Sequence, residues 1–524
     1  MLPSLTGAPP SIARNTSDLA TRHPLDNPLL LGLLFLAWLL ATIWIRPLAL
    51  PDEGRYAGVA WEMVRSGQWL TPTLDGLPYF HKPPLFYWLT AISIEVFGPT
   101  EWSVRLASIL GAVVAAASGY RLFSRWLSLQ SARWYLLVLA TMPLFYGGSQ
   151  YANHDMLVAG FIAGAIALAA DALLSADAGF AWRRTMLLAW ACMALGLLSK
   201  GLIGIVLPAG VIFWWMALQW RWGWLSRLLW WPGLLVFLVI ASPWFILMQL
   251  KFPEFFDYFF IHQHFERFSQ KGFNNQQPFW FFPAILLLLS LPWSPLLLGR
   301  FRIAPALGVR RALRLLLWTW IAVITVFFSL PNSKLVGYIL PVTPAVAMLI
   351  AEVVGDWALL RRWFVGVIAA ITTIAAILAV GVLAAITHYD TYSSRPLAEA
   401  LRARMAPGEP LVSLRVYRFD LPLYARWPEP IPVLHSWNDP ALRQQDSWPR
   451  ELADAGDFDR ATGERVLIDV SRLREVLCAQ PVTWVVAHAK DKEPLLEGAQ
   501  RVAANPHYAL MRVERSGLDC GLAR

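Results

Sequence analysis

Charged side chains are scarce in this chain. Asp, Glu, Lys and Arg make up 15% of its 524 residues against 57% hydrophobic ones, and mean hydropathy is +0.48. That balance excludes a disordered polyelectrolyte and a water-soluble globular enzyme, both of which need more charge at their surfaces. Cysteine is nearly missing as well. Cys192 lies in an apolar run and Cys478 and Cys520 in a polar tail, so no zinc-type spacing exists. The last two could pair if the tail lies outside the cytoplasm. There is no internal repeat of about 20 to 50 residues, and no pair of similar halves of the kind many transporters show.

What the chain does have is apolar runs of bilayer length. About eleven can be placed, near residues 28–46, 103–123, 133–149, 156–175, 185–199, 201–218, 228–249, 279–299, 312–330, 336–355 and 361–387. The net charge of +9 raises the possibility of a polyanion partner. Topology accounts for it more simply, because the positive-inside rule puts the arginine-dense short loops in the cytoplasm. Those loops carry Arg121 and Arg125, Arg183 and Arg184, Arg221 and Arg227, Arg300 to Arg314, and Arg361 and Arg362. Residues 1–27 then form a cytoplasmic N-terminus leading into a retained signal anchor, since the first apolar run lacks a small-residue cleavage site. The opposite face receives the segment 47–101, several short turns, the loop 250–278, and the tail 388–524. The tail alternates strand-like runs (LVSLRVY at 411–417, VLID at 466–469, VTWVVA at 482–487) with helix-like ones, which predicts a small α/β domain.

Ionisable groups at membrane depth are costly and therefore mark function by default. The segment 47–101 opens with Asp52, Glu53 and Arg55 after Pro51, a helix-start signature, and Ala57, Ala60, Trp61 and Val64 follow at helical spacing. An amphipathic helix on the membrane surface is expected there, although Asp52 could be an ordinary helix-start acid. Beyond GLPYFHKPP, with His81 and Lys82, LFYWLTAISIEVF reads as a second interfacial helix. Other outer turns add His154 and Asp155, Lys200, then His262, His264, Glu266 and Arg267, and finally Lys334 and Tyr338. Each lysine alone could be snorkelling to the interface. Jointly, the cations and the tyrosine suit a lipid phosphate, and Asp52, Glu53 and Asp155 suit a general base, a metal ligand or contacts to a polar substrate. A lipid-linked sugar transporter would instead string its charges through mid-membrane. The tail could also be a separate binding module.

The ordered motifs DEGRY (52–56), GQWLTPTLDGLPYFHKPPLFYWL (67–89), FG-x-x-EWSVRL (97–106), LSKGLIGIVLP (198–208), HFERF (264–268) and SKLVGYILP (333–341) carry a resemblance. The chain resembles the lipid A 4-amino-4-deoxy-L-arabinose transferases, relatives of the protein mannosyltransferases, from the first span to about residue 345. The resemblance implies an α-helical multispanning membrane protein of C-type glycosyltransferase fold, with about 11 to 13 transmembrane helices. Residues 28–387 would form the glycosyltransferase domain and 388–524 a periplasmic α/β domain. It further implies transfer of a sugar, an amino sugar by family, from undecaprenyl phosphate to a phosphate of lipid A or a similar acceptor, at the periplasmic face of the inner membrane. A protein hydroxyl or another envelope glycan is the alternative acceptor. Carried over, Asp52 falls at the reaction centre and Asp155 on the family's second acidic position. Arg55, Lys82, Lys200, Arg267 and Tyr338 fall around the carrier phosphate. His264 aligns with the histidine of an EH-x-x-RF pattern implicated in metal binding. Two departures stand out: Gln263 replaces that glutamate, and His81 replaces the glutamate of a YFEKPP motif. With His81 and His264 as ligands zinc suits a metal site better than magnesium or calcium, and a reaction without metal is equally open.

Overall fold

The computed structural model describes residues 27–266, 275–302, 306–360, 362–389, 391–444 and 447–520. Two compact units alternate along the chain. The first comprises Met1–Trp44, Ala107–Leu247 and Asn275–Ala384, and the second Ile45–Leu106, Met248–Asn274 and Ala385–Arg524. Two outer segments of the expected glycosyltransferase domain thus group with the tail rather than with the spans.

The first unit is helical. It contains α1 (Pro28–Leu40), most of α4 (Glu101–Trp126), α5 (Leu129–Thr141), α6 (Pro143–Ser149), α7 (His154–Asp177), α8 (Arg183–Lys200), α9 (Ile203–Ala217) and most of α10 (Trp231–Lys251). After these come α11 (Phe281–Leu288), α12 (Gly308–Ser329), α13 (Thr343–Leu360) and most of α14 (Arg362–Tyr389). Among the described residues six helices are long and apolar enough to cross a membrane. Proline accounts for where the expected spans divide. The run 133–149 splits at Met142, whose extended backbone (φ −72, ψ 119) precedes Pro143, as the residue before a proline requires. In 279–299 the helix α11 ends before Pro292 and Pro295, and a tight turn of helix resumes at Ser294.

Helix α7 is the most deeply enclosed of the six. It meets α4 backbone to backbone, since a Cβ on Gly160 would fall 2.1 Å from the Gly111 carbonyl oxygen, and small residues permit such approach between membrane helices. Near its C-terminus Asp171 accepts from Arg121 Nε at 2.8 Å, Arg125 Nη1 at 2.7 Å and Trp126 Nε1 at 2.8 Å. Asp177 takes Arg221 at 2.6 Å, Trp224 at 3.0 Å and Arg227 at 2.5 Å. Glu352 on α13 takes Arg314 Nε at 2.8 Å and also Arg310. The arginines that read as topology markers are therefore also clamps on three carboxylates.

The second unit holds α2 (Asp52–Ser66), the hairpin β1 (Thr73–Leu74) and β2 (Leu77–Pro78), and α3 (Leu85–Phe97). Its C-terminal portion contains α15 (Arg395–Arg404), β3 (Leu411–Leu414), α16 (Leu421–Ala425), β4 (Val433–His435), α17 (Trp448–Phe458), α18 (Arg460–Val466) and β5 (Leu467–Asp469). Then follow α19 (Leu473–Cys478), β6 (Val482–His488), β7 (Gln500–Ala504) and β8 (Tyr508–Glu514). The six strands from β3 onward form one sheet in the order β5-β4-β3-β6-β8-β7, parallel as far as β6 and antiparallel beyond it. One face packs Leu397, Leu401 and Leu421 against Trp484 and Leu510, and the other packs Leu473 and Leu477 against Val412 and Val485. Cys478 and Cys520 form a disulfide across 42 residues.

Glu53 anchors the loop to the start of α4 and is not an exposed reaction-site acid. Its side chain is 0% exposed. Oε1 takes Arg105 Nε at 2.9 Å, while Oε2 takes Arg46, Arg105 Nη2 at 3.1 Å and the Ala49 amide at 2.8 Å. With both oxygens engaged and no solvent face, the expected catalytic role of Glu53 does not hold. Burial by itself would raise this carboxyl, but the Arg105 and Arg46 guanidiniums outweigh it and hold the pKa at about 2, below the ordinary 4.5. A group depressed in the folded state adds stability above its unfolded value and loses it as pH falls through the folded one. Glu53→Gln is accordingly expected to cost roughly 3–5 kcal/mol at neutral pH, as breaking a buried pair does. It should also flatten the loss of stability between pH 4.5 and about 2, measured by thermal unfolding of the detergent-purified protein across that range.

Candidate functional site

In the second unit the site grows from the first turn of α2. Asp52 keeps 27% of its side chain exposed, one residue from the enclosed Glu53. One turn further, Arg55 donates from Nη2 to Asp52 Oδ1 at 2.6 Å, and from Nη1 to Oε1 of Glu451 on α17. Its guanidinium lies over the rings of Phe419, at 5.4 Å, and Tyr56, at 5.7 Å. Burial disfavours the Arg55 cation, yet the surrounding Tyr79, Glu451, Tyr56 and Asp52 raise its pKa well above the ordinary value. Burial pushes the phenols of Tyr56 and Tyr79 well up, so both are neutral hydrogen-bonding groups and not bases.

The Pro83–Pro84 corner follows a bend at His81 and Lys82, and Pro84 precedes the first residue of α3. His81 stacks on Tyr79 with ring centroids 4.5 Å apart and planes 18° from parallel, and Tyr258 lies 6.1 Å away. Lys82 is half-buried in the same corner. Arg267 lies outside the described residues, and so does the side chain of His264. Among the described residues no three His, Cys, Asp or Glu side chains gather as a metal site would require.

The first unit brings three of the expected residues together. Asp155 sits in the first turn of α7, where Asn153 caps the helix by accepting from the Asp155 amide at 3.0 Å. Lys200 ends α8, and its ammonium donates to Asp155 Oδ1 and lies 4.4 Å from the centroid of the Tyr338 ring. Gly337 makes room for this cluster, since a Cβ there would fall 2.3 Å from Asp155 Oδ2. Beside the same turn, His154 Nδ1 lies 2.7 Å from the Ser199 carbonyl oxygen. Lys334 is placed differently. It is 3% exposed and spends its ammonium on the carbonyl oxygens of Gln277, at 2.8 Å, and Pro331, which makes it a local tie.

Three participants escaped the sequence. Glu451 looks like any first-turn acid of a helix in a polar domain. Gly337 is one glycine among 33. Tyr79 lies two residues before His81 in the same motif, and its stacking on that imidazole had no local pattern to announce it.

Known proteins sharpen the picture. Residues 81–247 match the family model of dolichyl-phosphate-mannose-protein mannosyltransferases. An undecaprenyl phosphate-alpha-4-amino-4-deoxy-L-arabinose arabinosyl transferase of Erwinia tasmaniensis is 32% identical over 386 residues, 71% of this chain and 68% of its own length. A protein of the same name from Pseudomonas aeruginosa PAO1 is 32% identical over 317 residues, 59% of this chain and 55% of its own. The crystal structure of ArnT from Cupriavidus metallidurans bound to undecaprenyl phosphate superposes with a TM-score of 0.80 at 25% identity, covering 93% of this chain and 98% of that one. The apo oligosaccharyltransferase of Archaeoglobus fulgidus, at 15% identity and a TM-score of 0.52, shares the fold over 88% of this chain and 69% of its own. The fold is that of the C-type glycosyltransferases, and the chain belongs to the family of the undecaprenyl phosphate-alpha-4-amino-4-deoxy-L-arabinose arabinosyl transferases.

Proposed function

We propose that this protein transfers a sugar, an amino sugar of the 4-amino-4-deoxy-L-arabinose kind, from an undecaprenyl-phosphate carrier to a phosphate of lipid A or a similar envelope acceptor. The observation that carries the proposal is Asp52: a carboxylate left partly open to solvent, oriented by Arg55, beside an acid wholly consumed by the scaffold. The likeness to a transferase structure that holds undecaprenyl phosphate supports the choice of donor.

In such a transfer the bond between the anomeric carbon and the carrier phosphate oxygen breaks while an acceptor oxygen bonds to that carbon. The electron pair leaves with the carrier phosphate. By motif, Lys82, Lys200 and Arg267 are the cations offered to that charge, as preorganised electrostatic stabilisation requires. A phosphate acceptor is already ionised near neutral pH, so Asp52 orients it or steadies positive charge on the sugar ring. A hydroxyl acceptor would need Asp52 as general base.

One further reading has a specific observation behind it. The matched family model describes protein mannosyltransferases, which favours a protein hydroxyl as acceptor.

The active face is assigned to the periplasm. The Cys478–Cys520 disulfide supports this, because such bonds persist in oxidising compartments. The arginine-dense loops fall on the opposite side by the positive-inside rule.

Asp52→Asn and Lys82→Ala are each expected to lower transfer by roughly 10²- to 10⁴-fold, the scale of a positioned acid–base or charge-stabilising group. Membrane insertion should be unchanged. The readout is the sugar mass increment on lipid A: a normal increment in either variant overturns the assignment, and a missing lipid A increment with a sugar gained by protein favours the second acceptor. For orientation, a membrane-impermeant maleimide applied to intact spheroplasts should label Cys478 and Cys520 only after mild reduction, and labelling only after lysis would place the tail in the cytoplasm.

A further inference from the structure

Glu451 lies outside every motif that identifies the family, in the first turn of α17 in the C-terminal part of the chain. Its carboxylate nevertheless reaches the first outer loop. Oε1 takes Arg55 Nη1, and Arg55 Nη2 takes Asp52 Oδ1 at 2.6 Å, so acid, guanidinium and acid form one continuous chain.

Two observations separate this arrangement from a tie that only joins tail to loop. First, the joint stands without it. The Ile431 amide donates to Asp75 Oδ1 at 2.7 Å, the Leu48 amide to Tyr424 Oη at 2.9 Å, and Trp61 Nε1 to the Trp427 carbonyl at 2.9 Å. The Phe458 ring also packs edge-on against Phe80 at 4.8 Å. Second, the pair is not built for greatest stability. Arg55 and Glu451 are only 13% and 12% exposed, yet Arg55 Nε and Glu451 Oε2 have no hydrogen-bond partner among the described residues. A two-pronged contact between guanidinium and carboxylate would satisfy more of these atoms. It is forgone because the second prong of Arg55 goes to Asp52. The guanidinium is planar and rigid, so fixing one prong fixes the direction of the other.

We infer that Glu451 is a positioning residue for sugar transfer, which holds Asp52 in its reactive orientation through Arg55. The inference rests on the transfer proposed above. The C-terminal α/β portion is then part of the catalytic apparatus, supplying the outermost link of a charge chain that ends at the substrate.

The test uses full-length wild type, Glu451→Gln and Glu451→Asp, purified and assayed with an undecaprenyl-phosphate-linked amino sugar and lipid A. Glu451→Gln keeps shape and loses charge. It is expected to lower kcat by roughly ten- to a hundredfold, the scale of a small misplacement at a reacting centre, with donor KM within about twofold of wild type. Glu451→Asp keeps the charge and should recover a substantial part of kcat, and both variants should stay folded at the assay temperature because the other contacts remain, even where loss of a mostly buried pair lowers Tm. A wild-type kcat in Glu451→Gln overturns the inference while leaving the transfer reading intact. So does an equal loss in both variants that follows a lowered Tm, since that marks a structural tie. A wild-type protein that transfers no sugar overturns the transfer reading and this role with it.

Discussion

A carboxylate withdrawn from water keeps its charge only if a cation meets it, and that demand organises this chain. Arginine answers it at Glu53, Asp171, Asp177 and Glu352, with two guanidiniums for each acid. These groups are saturated and structural. Around Asp155 the answer is a single lysine, shared with the face of Tyr338. Lysine is a compact point charge on a flexible stem and is less committed to one geometry than a guanidinium fork. The same physical demand is thus met in two ways: by doubled arginines at four acids, and at Asp155 by a lysine that also lies over a tyrosine ring.

The two adjacent acids of α2 show how sharply position decides role. Asp52 and Glu53 both stand in the first turn of one helix, and composition or helix-start preference treats them alike. A step of one residue rotates the side chain by about 100° around a helix axis, which turns Glu53 toward Arg46 and Arg105 and leaves Asp52 partly open. Helical periodicity was therefore sufficient to predict the helix and insufficient to tell which acid faced the arginines, because those arginines come from residues outside the helix.

Much of the fold was legible because it rests on local chemistry. Apolar runs located the helices, and alternating apolar residues at 411–417 and 482–487 foretold strands β3 and β6, whereas the breaks at Pro143 and before Pro292 fell inside runs expected to be continuous. The Asp75–Gly76 step between β1 and β2 is a hairpin signal of the ordinary kind, with positive φ at both residues, and it was present in the sequence though not read. Helix starts with acidic first turns were also visible. What stayed hidden depends on distant pairing: Glu451 on Arg55 spans 396 residues, and Gly337 matters only because Asp155 lies against it. No local pattern encodes either contact. The assignment of residues 45–106 and 248–274 to the same unit as the tail was equally invisible, since an outer loop and a polar domain carry no shared periodicity.

Helix α7 has a charge pair at each end, Asp155 with Lys200 at one and Asp171 with its two arginines at the other. A rod clamped at both termini cannot slide along its axis without breaking both sets of contacts together. The sixteen-residue interval between the two acids corresponds to about 24 Å at roughly 1.5 Å per residue, a little less than the hydrocarbon thickness of about 30 Å. Helix α7 is in that sense a fixed gauge, which holds the Lys200 end of the helix at a set distance from the arginine clamp on Asp171.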